Sequence, residues 1–212
     1  MAVVATAAAA IAGALVIGMP GASDDAYASW TATPAAVASS ERGLAGDACL
    51  EGADRSDGEV VLAERRGVWI AVAATTGDGT DEPAVVTCLV ELPPGSTDPG
   101  VVISAVGGGQ GAVPVGGEIT EGIFSEFSDG AGDGSAVSFT VGDVGPDVAA
   151  VELVGPDGET VDATVSDGRF IAWWPGRVFE EGTEGPGLVD LDYRVTLVDG
   201  TVVEDAQPIR PE

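Results

Sequence analysis

Residues 159–174 read ETVDATVSDGRFIAWW (Glu159 to Trp174), and this stretch decides the fold class. Val161, Ala163 and Val165 alternate with Thr160, Asp162 and Thr164. That period of two belongs to a strand with one dry face and one wet face. Ser166-Asp167-Gly168 stops the alternation, and an Asp-Gly pair suits a type I′ hairpin because both central residues need positive φ. A second apolar run, Arg169–Trp174, follows at once. Working outward, Ala136–Val141, Val148–Val154, Tyr193–Val198 and Thr201–Glu204 read as further short strands, divided by Gly155-Pro156-Asp157-Gly158 and Asp199-Gly200. Upstream, Val60–Glu64, Val68–Thr75, Ala84–Leu89 and Val101–Val106 have the same character. No long stretch of period 3.6 occurs after residue 30. Evenly spaced short strands with turn signals predict an all-β protein, an antiparallel sandwich or barrel-like meander, preceded by one N-terminal apolar helix.

Trp173 and Trp174 pose the sharpest question in that stretch. Successive strand residues face opposite sides, so both rings enter a core only if the strand is itself sandwiched. Otherwise one anchors the core while the other covers its edge, or an exposed ring meets a ligand or partner surface. On the last reading Gly176–Leu191, rich in Glu and Gly, is a flap beside it.

Composition narrows the chemistry. The 212 residues carry 35 acids against 8 bases, a formal charge of -27, and every base is an arginine. Such a field repels phosphate backbones, so no nucleic-acid partner is expected. Arg65-Arg66 is the lone basic pair and, followed by Gly67, reads as an exposed hairpin tip. With no His, Lys or Asn, the chain lacks the parts of a Ser-His-Asp triad, a Schiff base, a P-loop lysine or an asparagine oxyanion donor. No catalytic residue, metal site or cofactor is therefore assigned. Paired carboxylates remain for a hydrolase acting on envelope glycan, although 35 acids place some pair at the right separation by chance. Asp78–Glu82 and Asp129–Asp133 put oxygens on Gly-rich loops as calcium sites do, but neither matches the EF-hand loop pattern.

Ala2–Met19 is an uncharged run of 18 residues, about 27 Å as a helix and just long enough for a hydrocarbon core. It reads as a membrane anchor or a signal segment, with the remainder extracytoplasmic. Ala26-Tyr27-Ala28 has the small-x-small form that signal peptidases accept, so secretion after cleavage near Ala28 is the alternative. Cys49 and Cys88 are the only cysteines, and an even count in an exported chain reads as one disulfide. A meander between them is expected to bring its flanks within bridging distance. The organisation that follows is an anchor or signal over 1–28, a linker over 29–46 and a disulfide-bridged β-meander lobe over 47–106. A Gly-rich connection over 107–118 then leads to a sandwich-like lobe over 119–212, and the two lobes can form one domain.

The apolar run, Tyr27-Ala28-Ser29-Trp30, the paired cysteines, Gly145-Pro146-Asp147-Val148 and Ala172-Trp173-Trp174-Pro175-Gly176 come in an order that resembles actinobacterial membrane-anchored or secreted envelope proteins of no agreed activity. That resemblance implies location and transfers no catalytic residue. The expected function is a non-catalytic extracytoplasmic module that binds or organises an envelope protein or glycan. The carboxylate hydrolase and a calcium-binding envelope protein are the alternatives.

Overall fold

The computed structural model describes residues 27–55, 57–77, 84–100, 102–108, 112–127, 136–155, 158–176 and 191–209. The apolar run 2–19, the loops 78–82 and 129–133 and most of the 176–191 segment lie outside them. Among the described residues one helix, α1 (Ser39–Gly52), precedes twelve strands. The first sheet runs β1 (Glu59–Arg66), β2 (Trp69–Thr76), β3 (Ala84–Glu91), β4 (Val102–Gly108) in sequence order. The middle sheet has the order β5 (Ile123–Phe127), β6 (Val137–Asp143), β10 (Arg169–Pro175), β9 (Thr164–Ser166). The outer sheet has the order β12 (Val202–Ala206), β11 (Asp192–Leu197), β7 (Val148–Val154), β8 (Thr160–Asp162). Among the described residues the pairings between these strands are antiparallel, and the isolated bridge Thr120–Ile209 is parallel.

These elements stack as helix, sheet, sheet, sheet. Three apolar layers fill the gaps. Ala45 and Cys49 of α1 meet Ile70, Val72, Val86, Cys88 and Val90. The other face of the first sheet sets Leu62, Trp69, Ala71 and Leu89 against Val137, Phe139, Ile171 and Trp173 of the middle sheet. The far face of the middle sheet sets Phe170, Ala172 and Trp174 against Val151, Leu153, Val161, Tyr193 and Val195. The segments read as two lobes thus share the core between the first and middle sheets. No closed barrel forms among the described residues. Each sheet is open, because the chain changes sheet instead of wrapping one round.

The run expected as a single strand, Glu159–Val165, makes such a change. Its first half pairs with β7 in the outer sheet and its second half with β10 in the middle sheet. The break falls at Ala163, whose N–H still donates to Val151 O at 2.9 Å. A strand that switches sheets at a bend builds the corner of a stacked β fold. The hairpin after it is as expected: Ser166 faces Arg169, with Asp167 and Gly168 at φ 52° and 75°. At the β11–β12 turn only Gly200 has positive φ, at 87°, while Asp199 accepts from the Thr201 N–H at 2.8 Å.

The linker reading of 29–46 needs correction. Residues 27–35 are tied down: Ala35 bridges Arg65, and Ala32 O accepts from Asp162 N–H at 3.1 Å. From Ser39 the chain is helical. Gly46 turns toward the first sheet, where a Cβ would lie 2.4 Å from Val60 Cγ2, so its absence lets the helix settle close. Cys49 and Cys88 then join α1 to β3 with an S–S distance of 2.06 Å and a Cα–Cα separation of 5.6 Å. The disulfide is as expected, but its first partner comes from a helix and not from the flank of a meander.

Candidate functional site

β10 lies inside its sheet, and that sheet lies between two others. Ile171 and Trp173 therefore point into one core while Phe170, Ala172 and Trp174 point into the next. Trp173 is 0% exposed and Trp174 2%. Trp173 packs edge-on against Tyr27 at 5.8 Å and Trp30 at 6.5 Å, and Trp174 against Phe124 at 6.2 Å. Neither ring is left at an edge or offered to solvent. The space for this packing comes from small residues opposite: Trp174 pairs with Ser138, and Phe170 pairs with Gly142, where a Cβ would lie 2.4 Å from the Phe170 ring.

Polar chemistry is concentrated at the end of β1. Leu62, Glu64 and Arg66 share one face of that strand, and there the apolar row turns ionic. Glu64 and Arg66 are both 0% exposed. Arg66 Nε donates to Glu64 Oε1 at 2.8 Å, Nη1 donates to the carbonyls of Thr31 and Ala32, and Nη2 to Asp162 O. The guanidinium also lies 5.8 Å from the Trp30 ring centroid. Thr164 N–H donates to Glu64 Oε2 at 3.3 Å, and Thr33 Oγ1 donates to Asp162 Oδ2 at 2.6 Å. Four of the five N–H donors of an arginine thus gather the 27–35 segment, β1 and the sheet-changing corner at one point. Arg65, on the opposite face, donates through Nη1 to Leu92 O at 2.6 Å. Its Nη2 lies 2.9 Å from Glu41 Oε1 as an ion pair without hydrogen-bond alignment. The arginine pair is therefore a buried clamp and not an exposed hairpin tip. Only Gly67 and Val68 form the loop, with Gly67 at φ 62°.

This cluster is too enclosed to act on a substrate, but it makes stability depend on pH. Burial pushes the Glu64 carboxyl above the ordinary glutamate range, against the pull of Arg66 and Thr164. A proton held more tightly in the folded state stabilises it below the unfolded pKa of about 4.3, and that stabilisation is lost as pH rises through the raised value. Two surface groups act in the opposite sense. Glu41 is lowered by the Gly95 N–H and Arg65, and Asp199 by the Thr201 N–H, so their contributions are lost as pH falls through their folded values. Repulsion among charges summing to -27 also eases on mild acidification. Melting temperature is thus expected to rise from pH 8 toward about 5 and to fall below about 4. Salt should flatten the part due to surface repulsion, and Glu64→Gln the remainder of the upper limb. A Glu64→Gln profile with an unaltered slope between pH 5 and 8 would refute the assignment.

Two surface features remain. An open cleft of about 400 Å³ beside the end of α1 is lined by Asp47, Leu50, Glu51, Asp54 and Arg55. Among the described residues no group of three potential metal ligands forms. On the outer sheet, Arg194 bridges Glu152 and Glu204 across three strands. At the end of that sheet, Val113, Val115, Val198, Val202 and Val203 are exposed. Asp147 joins their two segments, its N–H donating to Gly116 O at 3.0 Å and its carbonyl accepting from Val198 N–H at 2.8 Å. Asp147 thus holds the loop bearing Val113 and Val115 beside the turn bearing Val198, while Val202 and Val203, consecutive on β12, point to opposite faces of the outer sheet. Sequence reading did not single out these residues. Val113 and Val115 flank a proline, and nothing local shows that Val198 lies beside them. Among the described residues no helix is long and apolar enough to cross a membrane. No protein-family model, curated protein or solved structure matches the chain.

Proposed function

We propose that this chain is a non-catalytic extracytoplasmic module, held at the cell membrane through residues 2–19, that binds an envelope protein. The observation that carries the reading is the Cys49–Cys88 bond, whose two residues are fully buried between α1 and the first sheet. Disulfides persist in oxidising compartments and are rare where glutathione and thioredoxin keep thiols reduced. The uncharged run 2–19 and the resemblance in layout to actinobacterial envelope proteins point the same way.

The exposed valines beside Asp147 are the contact surface in this reading. A partner meeting Val115, Val198 and Val202 gains by covering small apolar side chains, which suits a protein surface. Sugar rings stack on exposed aromatic faces, and among the described residues Trp69, Trp173 and Trp174 are buried and Trp30 is partly buried. The test is to quench cells in acid, denature the proteins and alkylate them with and without prior reduction. Thiols that react only after reduction, with the chain in the envelope fraction, are the expected result. A photoreactive residue at position 198 should then crosslink to an envelope protein, while one at position 47 should not. Thiols that react without reduction would sink the proposal.

A further inference from the structure

We infer that the folded protein retains Tyr27, and that the Ala28–Ser29 bond is not a processing site, so that the fold is joined directly to the apolar run before it. This deepens the membrane-held reading and rests on it. The sequence Ala26-Tyr27-Ala28 offers a leader peptidase the small residues it requires, and a cut after Ala28 would remove Tyr27. The structure uses Tyr27 as a core residue. It is 8% exposed, its ring 5.4 Å from that of Trp69 and 5.8 Å from that of Trp173. It closes the end of the core between the first and middle sheets.

The backbone around the bond is equally committed. Trp30 N–H donates to Tyr27 O at 2.8 Å, closing residues 27–30 into a turn. Trp30 Nε1 donates to Trp173 O at 3.1 Å, and Ser29 Oγ accepts from Val68 N–H at 3.2 Å. The turn sits so near the β1–β2 loop that a Cβ at Gly67 would lie 2.2 Å from Ser29 O. Peptidases take their substrates extended through the residues on both sides of the bond. Presenting Ala28 in that form requires drawing Tyr27 from the core and opening the turn. In the folded chain burial and hydrogen bonding of the backbone oppose a cut there, and a cut made before folding would leave the core without Tyr27. Eight residue steps separate Met19 from Tyr27, a reach of at most about 28 Å. The pole bearing the 27–30 turn and Gly67 is therefore held close to the bilayer.

The test uses the full chain expressed in cells, with intact mass and N-terminal sequence read on the membrane and soluble fractions. A membrane-bound form that contains Tyr27 is the expected result. A folded, disulfide-bonded protein beginning at Ser29 would overturn the inference and leave the export reading standing. A soluble intact chain with free thiols would overturn both. Independently, Tyr27→Ala in the full chain should lower the melting temperature by about 10 °C, as large-to-small changes in cores of this size do. Tyr27→Phe should stay within about 2 °C of the parent, since the ring is kept. Failure of Tyr27→Ala to fold while Tyr27→Phe folds has the same meaning as the loss. An unchanged melting temperature for Tyr27→Ala would overturn the core role on which the inference stands.

Discussion

Trp173→Ala and Trp174→Ala are each expected to lower the unfolding free energy by about 4 kcal/mol, a fall of roughly 12 °C in melting temperature for a chain of this size. The two losses arise in different places. Trp173 empties the layer that holds Tyr27, Trp69 and Phe139, whereas Trp174 empties the layer that holds Phe124, Leu153 and Tyr193. The middle sheet separates the two cavities, and Trp30 packs against both clusters. Trp173→Phe is the informative control. The indole Nε1 of Trp173 has no hydrogen-bond partner among the described residues, so phenylalanine removes an unpaired donor along with some volume. Its cost should be well under half that of alanine. Urea unfolding of the three variants decides the matter. If either alanine variant keeps its parent stability and loses only a partner, the ring is a contact residue and the sandwiched position of β10 is wrong.

That pair shows how far the sequence carries the fold. Strand alternation states the condition for both rings to be buried, but only the layers on either side of β10 fulfil it, and those include residues as distant as Trp30, 143 positions from Trp173. The turns were legible because their requirements are local: Asp167-Gly168 needs nothing beyond its own φ angles. The sheet change at Ala163 was not legible, because both halves of Glu159–Val165 keep one alternation and differ only in their partners. Strand β5 was hidden in the same way, between Gly-rich flanks.

Helix α1 escaped detection for a different reason. Its core-facing positions are Ala45, Gly46 and Cys49, small residues that leave no apolar stripe, and Gly43 and Gly46 weaken its propensity. What holds it is external: the disulfide, the seat that Gly46 allows against Val60, and the Arg42 Nη2 bond to Val60 O at 2.7 Å. The cysteine pair itself could be read from its count alone. The nearness of Val115 to Val198 could not, since Asp147 joins segments distant in sequence.

The arginine pair was misread because its compensation is remote. A charged dipeptide before a glycine looks like an exposed tip until its partners are known, and these stand 35 positions away at Thr31 and 96 at Asp162. The consequence is a second large effect. Arg66→Met keeps much of the side-chain volume but leaves the Glu64 carboxyl enclosed with only the N–H and hydroxyl of Thr164 to face it, and should cost about 3 to 5 kcal/mol. Arg66→Lys should recover little, because an ammonium cannot reach a carboxylate and three carbonyls in the plane that the guanidinium spans. The double variant Glu64→Leu/Arg66→Met removes the stranded charge and should regain part of the loss. Full recovery is not expected, because the carbonyls of Thr31 and Asp162 then lose their Arg66 donor, at about 1 kcal/mol or more each. A double-mutant cycle by chemical denaturation measures the coupling directly. Coupling near zero, with Arg66→Met within 1 kcal/mol of the parent, would mean that the 27–35 segment is held by its aromatic rings and its other hydrogen bonds, without Arg66.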